Sequence, residues 1–263
     1  PQLVCKAERL VCAPPTIPVP LDFFQHTAAL PLAERKMLAQ VAFFQGPMFV
    51  VQAILEAKDK GRKSYSASDG SVINAIQKGT YGWVLTIGRT SVIKVMECNG
   101  QAAGLPMASY RSEAYGAWSF LLAAARLFEF YEEDPPEIAA AACGSKGLAS
   151  KIKEIVPQER PQFPNDTLQA GWDAASEAIA LLKKRKATSL GWAKGHQGGH
   201  IPYARLSHSA KLSCAADGLA EQAQKRYPAK FSALRAPSSA AQGKLFILSS
   251  SLPPERWHSH PSY

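Results

Sequence analysis

Ser66–Val72 (SASDGSV), Thr80–Ile87 (TYGWVLTI) and Ser91–Cys98 (SVIKVMEC) are the stretches that decide how this chain folds. They are short, carry β-branched and aromatic residues, and are separated by turn-forming residues, with Gly88–Arg89 as the second turn. That pattern predicts three strands in an antiparallel meander. Downstream the period changes. Apolar residues recur at helical spacing over Ser109–Glu132, and Glu137–Cys143 (EIAAAAC), opened by Pro135–Pro136, reads as a short buried strand. Lys146–Ile155 reads as a helix stopped by Pro157, and Asp166 or Thr167 caps another that runs to the basic cluster Lys183–Lys186. Ala187–Lys194 (ATSLGWAK) supplies a fifth strand and Ser207–Arg226 a last helix. The order predicts an α/β architecture: a mixed five-stranded sheet, three antiparallel strands then two crossover strands, with helices on both faces.

Upstream of this core, Leu32–Phe44 and Met48–Ala57 read as two amphipathic helices hinged at Gly46–Pro47, after a proline-rich arm. Beyond Pro228 the chain turns rich in Ser, Ala and Pro. The expected division is therefore 1–62, arm and short helices; 63–228, the α/β domain; 229–263, a tail. The 263 residues suffice for one sizeable core plus extensions. No apolar run reaches the roughly 20 residues of a membrane span; Ala117–Phe128 is broken by Ser119 and Arg126. Pro1 in place of Met suggests a fragment or processed product, and no basic-then-apolar leader opens the chain. Cys5, Cys12, Cys98, Cys143 and Cys214 contain no Cys-x-x-Cys pair. A reducing, intracellular compartment is the expectation, not a disulfide scaffold.

Charge is unevenly placed. Residues 1–143 hold 13 Lys/Arg and 13 Asp/Glu, whereas residues 144–263 hold 17 and 8 and so supply the whole net charge of +9. A basic second half suits an anionic partner, nucleic acid above all, or is simply a solvated surface. Lys183, Lys184, Arg185 and Lys186 could track phosphates or merely offset a helix dipole. Trp83, Tyr115, Trp118 and Phe120 could stack on bases, although aromatics on a strand and an apolar helix face more often fill a core.

Asp69 follows strand residues in a Ser-Asp-Gly-Ser context, Glu113 lies one turn into the long helix (SYRSEAYG), and Asp217 lies in the last helix (SCAADGLAEQ). Singly, each resembles a surface carboxylate or helix cap. Together they would make an oxygen-ligand cluster suited to Mg²⁺.

The order and text of these segments resemble the ribonuclease H family, most closely the domains that accompany reverse transcriptases in retroelements. The matching stretches are ASDGSV (67–72), YGWVL (81–85), SYRSEAYGAWSFL (109–121), GSKGL (144–148), TLQAGWDAASEAI (167–179), KGHQ (194–197) and LSCAADGLA (212–220). They cover about residues 64–226. The resemblance implies RNA–DNA hybrid or structured RNA as partner, in the setting of a reverse transcriptase or larger nucleoprotein assembly. It implies four carboxylates holding two Mg²⁺ ions, with Mn²⁺ as substitute, that cleave the RNA strand. Carried over by position, Asp69 is the first carboxylate, Glu113 the second and Asp217 the last. His196 is a loop histidine for proton transfer or product release, and Lys194 precedes it within the nucleic-acid-binding set. Asp173 (GWDAA) matches a recurrent acidic position with no assigned chemistry.

One position departs from the pattern. The family reads Ser-Asp-Asn before Lys-Gly-Leu, whereas this chain reads Cys143-Gly144-Ser145, so Gly144 stands where the third carboxylate belongs. Gly198 likewise replaces a common Asp. Neither Asp134 nor Glu137 compensates, since Glu137 falls roughly 20 Å away at the far end of the strand. Losing one stabilising group costs about 3 kcal/mol of transition-state stabilisation. Two classes of function follow: an impaired hybrid-cleaving nuclease, or a non-catalytic scaffold that keeps the fold and the binding.

Overall fold

β-Branched and aromatic residues that alternate in the sequence become, in the computed structural model, the strands of one sheet. The described residues are 22–89, 92–133, 138–157, 171–185, 190–193 and 201–227. Their elements run α1 (Phe23–Ala28), α2 (Leu32–Leu38), β1 (Val41–Phe43), α3 (Pro47–Asp59), β2 (Ser64–Ile73), β3 (Lys78–Ile87) and β4 (Ile93–Ala102). Then come α4 (Ser109–Phe130), β5 (Ile138–Cys143), α5 (Lys146–Ile155), α6 (Trp172–Arg185), β6 (Leu190–Trp192) and α7 (His208–Arg226).

The sheet order is β1-β4-β3-β2-β5-β6. β2 pairs antiparallel with β3 from Ser64↔Ile87 to Ile73↔Lys78, and β3 pairs antiparallel with β4. β5 joins β2 in parallel, and β6 joins β5 in parallel. A three-stranded meander continued by two parallel strands, with helices on both faces, is the ribonuclease H-like fold. It differs from the expected sheet by one strand. Val41–Phe43, read from sequence as the end of a helix, pairs with Cys98–Met96 at the free edge of β4. The helix stops at Leu38 because an open strand edge outcompetes the modest helical pull of Val-Ala-Phe. Residues before 63 thus contribute a strand to the same sheet.

Every residue of β3 is buried, as a central strand between two helical layers requires. α4 covers one face and α7 the other. Two glycines set those distances. A Cβ on Gly70 would lie 2.5 Å from the Glu113 backbone nitrogen, and one on Gly82 would lie 2.4 Å from the Ala216 carbonyl. Gly82 pairs with Asp69 across β2 and β3. The chain therefore brings α4 and α7 to backbone contact with the sheet at the register of Asp69.

α4 is buried along most of its length, with Tyr115, Trp118 and Phe120 in the main core. Trp83 is fully enclosed and its indole N–H donates to Ser119 Oγ at 3.0 Å. All four aromatics weighed as stacking surfaces are core. α1 and α2 close the far end of α4: Phe23 packs edge-on against Phe43 and Phe130, and Arg126 grips Glu34. No helix among the described residues is long and apolar enough to cross a membrane.

Candidate active site

Asp69 is held on β2 and Glu113 on the second turn of α4, two rigid elements that Gly70 lets approach closely. Both carboxylates are buried, Asp69 at 3% and Glu113 at 4% exposure. The Gly70 amide donates to Asp69 Oδ1 at 2.9 Å. Burial pushes the Glu113 carboxyl well above the ordinary carboxylate range; the charge and hydrogen bond of Asp69 push it further, against the backbone amides of Gly70 and Gly144. Two carboxyl groups share one buried site.

One oxygen of each, Asp69 Oδ2 and Glu113 Oε2, is buried and finds no hydrogen-bond partner in the protein. An orphaned buried carboxylate oxygen is costly unless a cation meets it. Two hard oxygen donors of this kind fit Mg²⁺ or Mn²⁺. The pair is compatible with a divalent ion, and short of ligands for two.

Gly144 follows directly on β5, and its amide donates to the Ser68 carbonyl at 3.3 Å. A Cβ built on Gly144 would stand 2.5 Å from Asp69 Oδ1 and 2.7 Å from Glu113 Oε1. The two acids thus occupy the space into which a side chain at 144 would point. Gly144 is not among the glycines with positive φ, so its backbone suits an L residue. Beside it, burial and then the charge of Glu113 push the Cys143 thiol up to about 12, which removes it as a nucleophile at neutral pH.

Asp217 lies partly exposed on α7, next to Ala216, whose carbonyl abuts Gly82. The structure brings Asp69 and Glu113 together; among the described residues no three of His, Cys, Asp and Glu stand close enough to hold a metal ion. His196, Lys194, Lys186, Gly198, Asp134 and Glu137 lie outside the described residues, as does the side chain of Arg185. Lys183 and Lys184 lie in the last turn of α6, with Lys184 exposed. Lys184 also lends its charge to Glu129 on α4.

Two features escaped the sequence reading. Asp173, on the first turn of α6, accepts from Arg111 Nη1 at 2.8 Å, and the same nitrogen donates to the Ala103 carbonyl at 3.2 Å. This ion pair, largely buried, ties α6 to the turn of α4 that carries Glu113. Trp192, half exposed on β6, donates its indole N–H to the Gly144 carbonyl at 3.1 Å. The recurrent Asp and the aromatic before Lys194 were visible signals; their partners, far away in sequence, were not.

Solved structures resemble this chain in part. RNase H1 from the halophilic archaeon Halobacterium salinarum is similar at 16% identity and a TM-score of 0.41, over 63% of this chain and 99% of that one. The N-terminal RNase H domain of rv2228c from Mycobacterium tuberculosis gives 19% and 0.41, over 62% and 94%. The RNase H domain of prototype foamy virus gives 13% and 0.45, over 63% and 96%. No family model matches the chain, and no curated protein matches it. The fold itself is defined by the strand order and register.

Proposed function

We propose that this chain is a retroelement-derived, ribonuclease H-like domain that binds RNA–DNA hybrid and cleaves its RNA strand slowly, through a carboxylate centre reduced at one position. The observation that carries the reading is the buried Asp69–Glu113 pair, each with an orphaned oxygen, on β2 and on the second turn of α4. Asp69 and Glu113 would hold a divalent ion; Asp217, expected from the sequence as a third ligand, does not join them in a metal-holding group. Bound there, Mg²⁺ or Mn²⁺ supplies Lewis-acid activation of water and charge stabilisation at the phosphate. The protein's own part is to fix the two carboxylates on rigid backbone, to keep the Gly70 amide on Asp69 Oδ1, and to exclude water around them. His196, in KGHQ, has the resemblance-implied role of proton transfer at the leaving oxygen.

A second reading, a non-catalytic scaffold, is favoured by the crowding at Gly144, where the two acids fill the room that a third would need. A labelled hybrid incubated with Mg²⁺ or Mn²⁺ decides between them. Slow cleavage of the RNA strand, abolished by Asp69→Asn, supports the nuclease. Binding without cleavage in either metal supports the scaffold.

A further inference from the structure

Trp83, Trp118 and Trp172 are buried, but Trp192 on the short strand β6 is 49% exposed. Its ring is not loose: the indole N–H is spent on the Gly144 carbonyl at 3.1 Å. That anchors an exposed aromatic surface to Gly144, at which an added Cβ would abut Asp69 and Glu113. The Lys146 ammonium stands over this ring, 5.8 Å from its centroid. Lys146 is exposed on the first turn of α5, and among the described residues it is in no ion pair. A Cβ on the neighbouring Gly147 would meet nothing nearer than Ser145 Oγ at 3.9 Å, so the approach to Lys146 is open.

An exposed tryptophan with a fixed ring and a cation beside it has the chemistry of a nucleic-acid contact: aromatic surface for a base or sugar, positive charge for a phosphate. Its position matters as much. A polyanion approaching Asp69 and Glu113 is repelled by them, and a cation next to the pair offsets that repulsion. We propose that Lys146 and Trp192 form a subsite that grips the nucleic-acid backbone beside the carboxylate pair, Lys146 on a phosphate and Trp192 against the adjoining nucleoside. The subsite rests on the hybrid-binding reading and adds to it the residues that set the strand's register over Asp69 and Glu113.

The test is fluorescence anisotropy with an end-labelled RNA–DNA hybrid and the full chain, between about 50 and 200 mM salt. Lys146→Gln is expected to weaken binding and to reduce the salt slope by about one phosphate contact. Trp192→Ala is expected to weaken binding about tenfold, and Trp192→Phe to retain most of it. Melting curves by circular dichroism establish folding; should Trp192→Ala not fold, Lys146→Gln and Trp192→Phe carry the test, because Lys146 is exposed. If wild-type chain binds hybrid while folded Lys146→Gln and Trp192→Ala keep its affinity and slope, the subsite is overturned and the hybrid reading stands. If wild-type chain binds no hybrid at all, the reading falls and the subsite with it.

Discussion

At the C-terminal end of α4, Glu34 and Glu129 share Arg126, which donates to Glu34 at 2.8 and 3.0 Å and to Glu129 at 2.7 Å. At the N-terminal end, Glu113 faces Asp69, and the arginine of that turn, Arg111, is taken by Asp173 instead. One helix thus holds acids in two ways. At the far end burial would raise the Glu129 carboxyl, but the hydrogen bond and charge of Arg126 outweigh it and lower it. At the near end burial and Asp69 act in the same direction and raise Glu113. The far end is neutralised from within the chain; the near end holds its repulsion until a proton or a cation arrives. Stability and function have been placed at opposite ends of the same element.

The largest expected effect comes from adding a third acid at the near end. Gly144→Asp places a carboxylate against Asp69 and Glu113, whose side-chain ends must retract to admit it. With Mg²⁺ present, hybrid cleavage should rise by about 100-fold, the rate equivalent of a recovered ligand. Without metal the variant should melt below wild type, because three like charges then share the pocket. A variant that folds, binds hybrid and still does not cleave leaves the scaffold reading in place.

Next in size is the buried ion pair between the two regimes. Asp173→Ala strands the largely buried Arg111 guanidinium and should cost about 3 kcal/mol in a urea titration. A loss within the range of an exposed pair would show that Arg111 finds another partner. At the far end, Arg126→Ala removes the cation shared by Glu34 and the exposed Glu129 and should cost about 1 kcal/mol, less in acid, where Glu129 gains a proton.

The smallest effect separates the ends by the sign of their pH dependence. Glu129, lowered in the fold, contributes stability that is present above its unfolded value and lost as pH falls through the folded one. Glu113, raised in the fold, contributes stability that is present below its unfolded value near 4.5 and lost as pH rises through the folded one. Glu113→Gln should therefore melt a few degrees above wild type in alkaline buffer and show little gain at pH 4. Equal gains at both pH values would mean that Glu113 is not under the strain that burial and Asp69 impose.

The comparison also marks what the sequence could disclose. The meander and α4 were legible because their patterns are local: alternation in TYGWVLTI, helical spacing from Ser109 onward, Ser207 three residues before the Ala210 amide it caps. Asp69, Glu113 and Gly144 were legible because short motifs surround them. β1 was not, since three residues that follow a helix become a strand only where β4 offers an edge. Nor was the partner of Asp173, because Arg111 lies 62 residues away. The exposure of Trp192 is likewise a property of packing, and TSLGWAK reads the same whether the ring is covered or bare.

The central claim is that the Asp69–Glu113 pair is a cation site. Isothermal titration of the wild-type chain and Asp69→Asn with Mn²⁺ at neutral pH tests it most directly. The account predicts one ion taken up per chain by wild type and little or none by Asp69→Asn, with both proteins folded. Equal uptake by the two, or none by wild type, would contradict it.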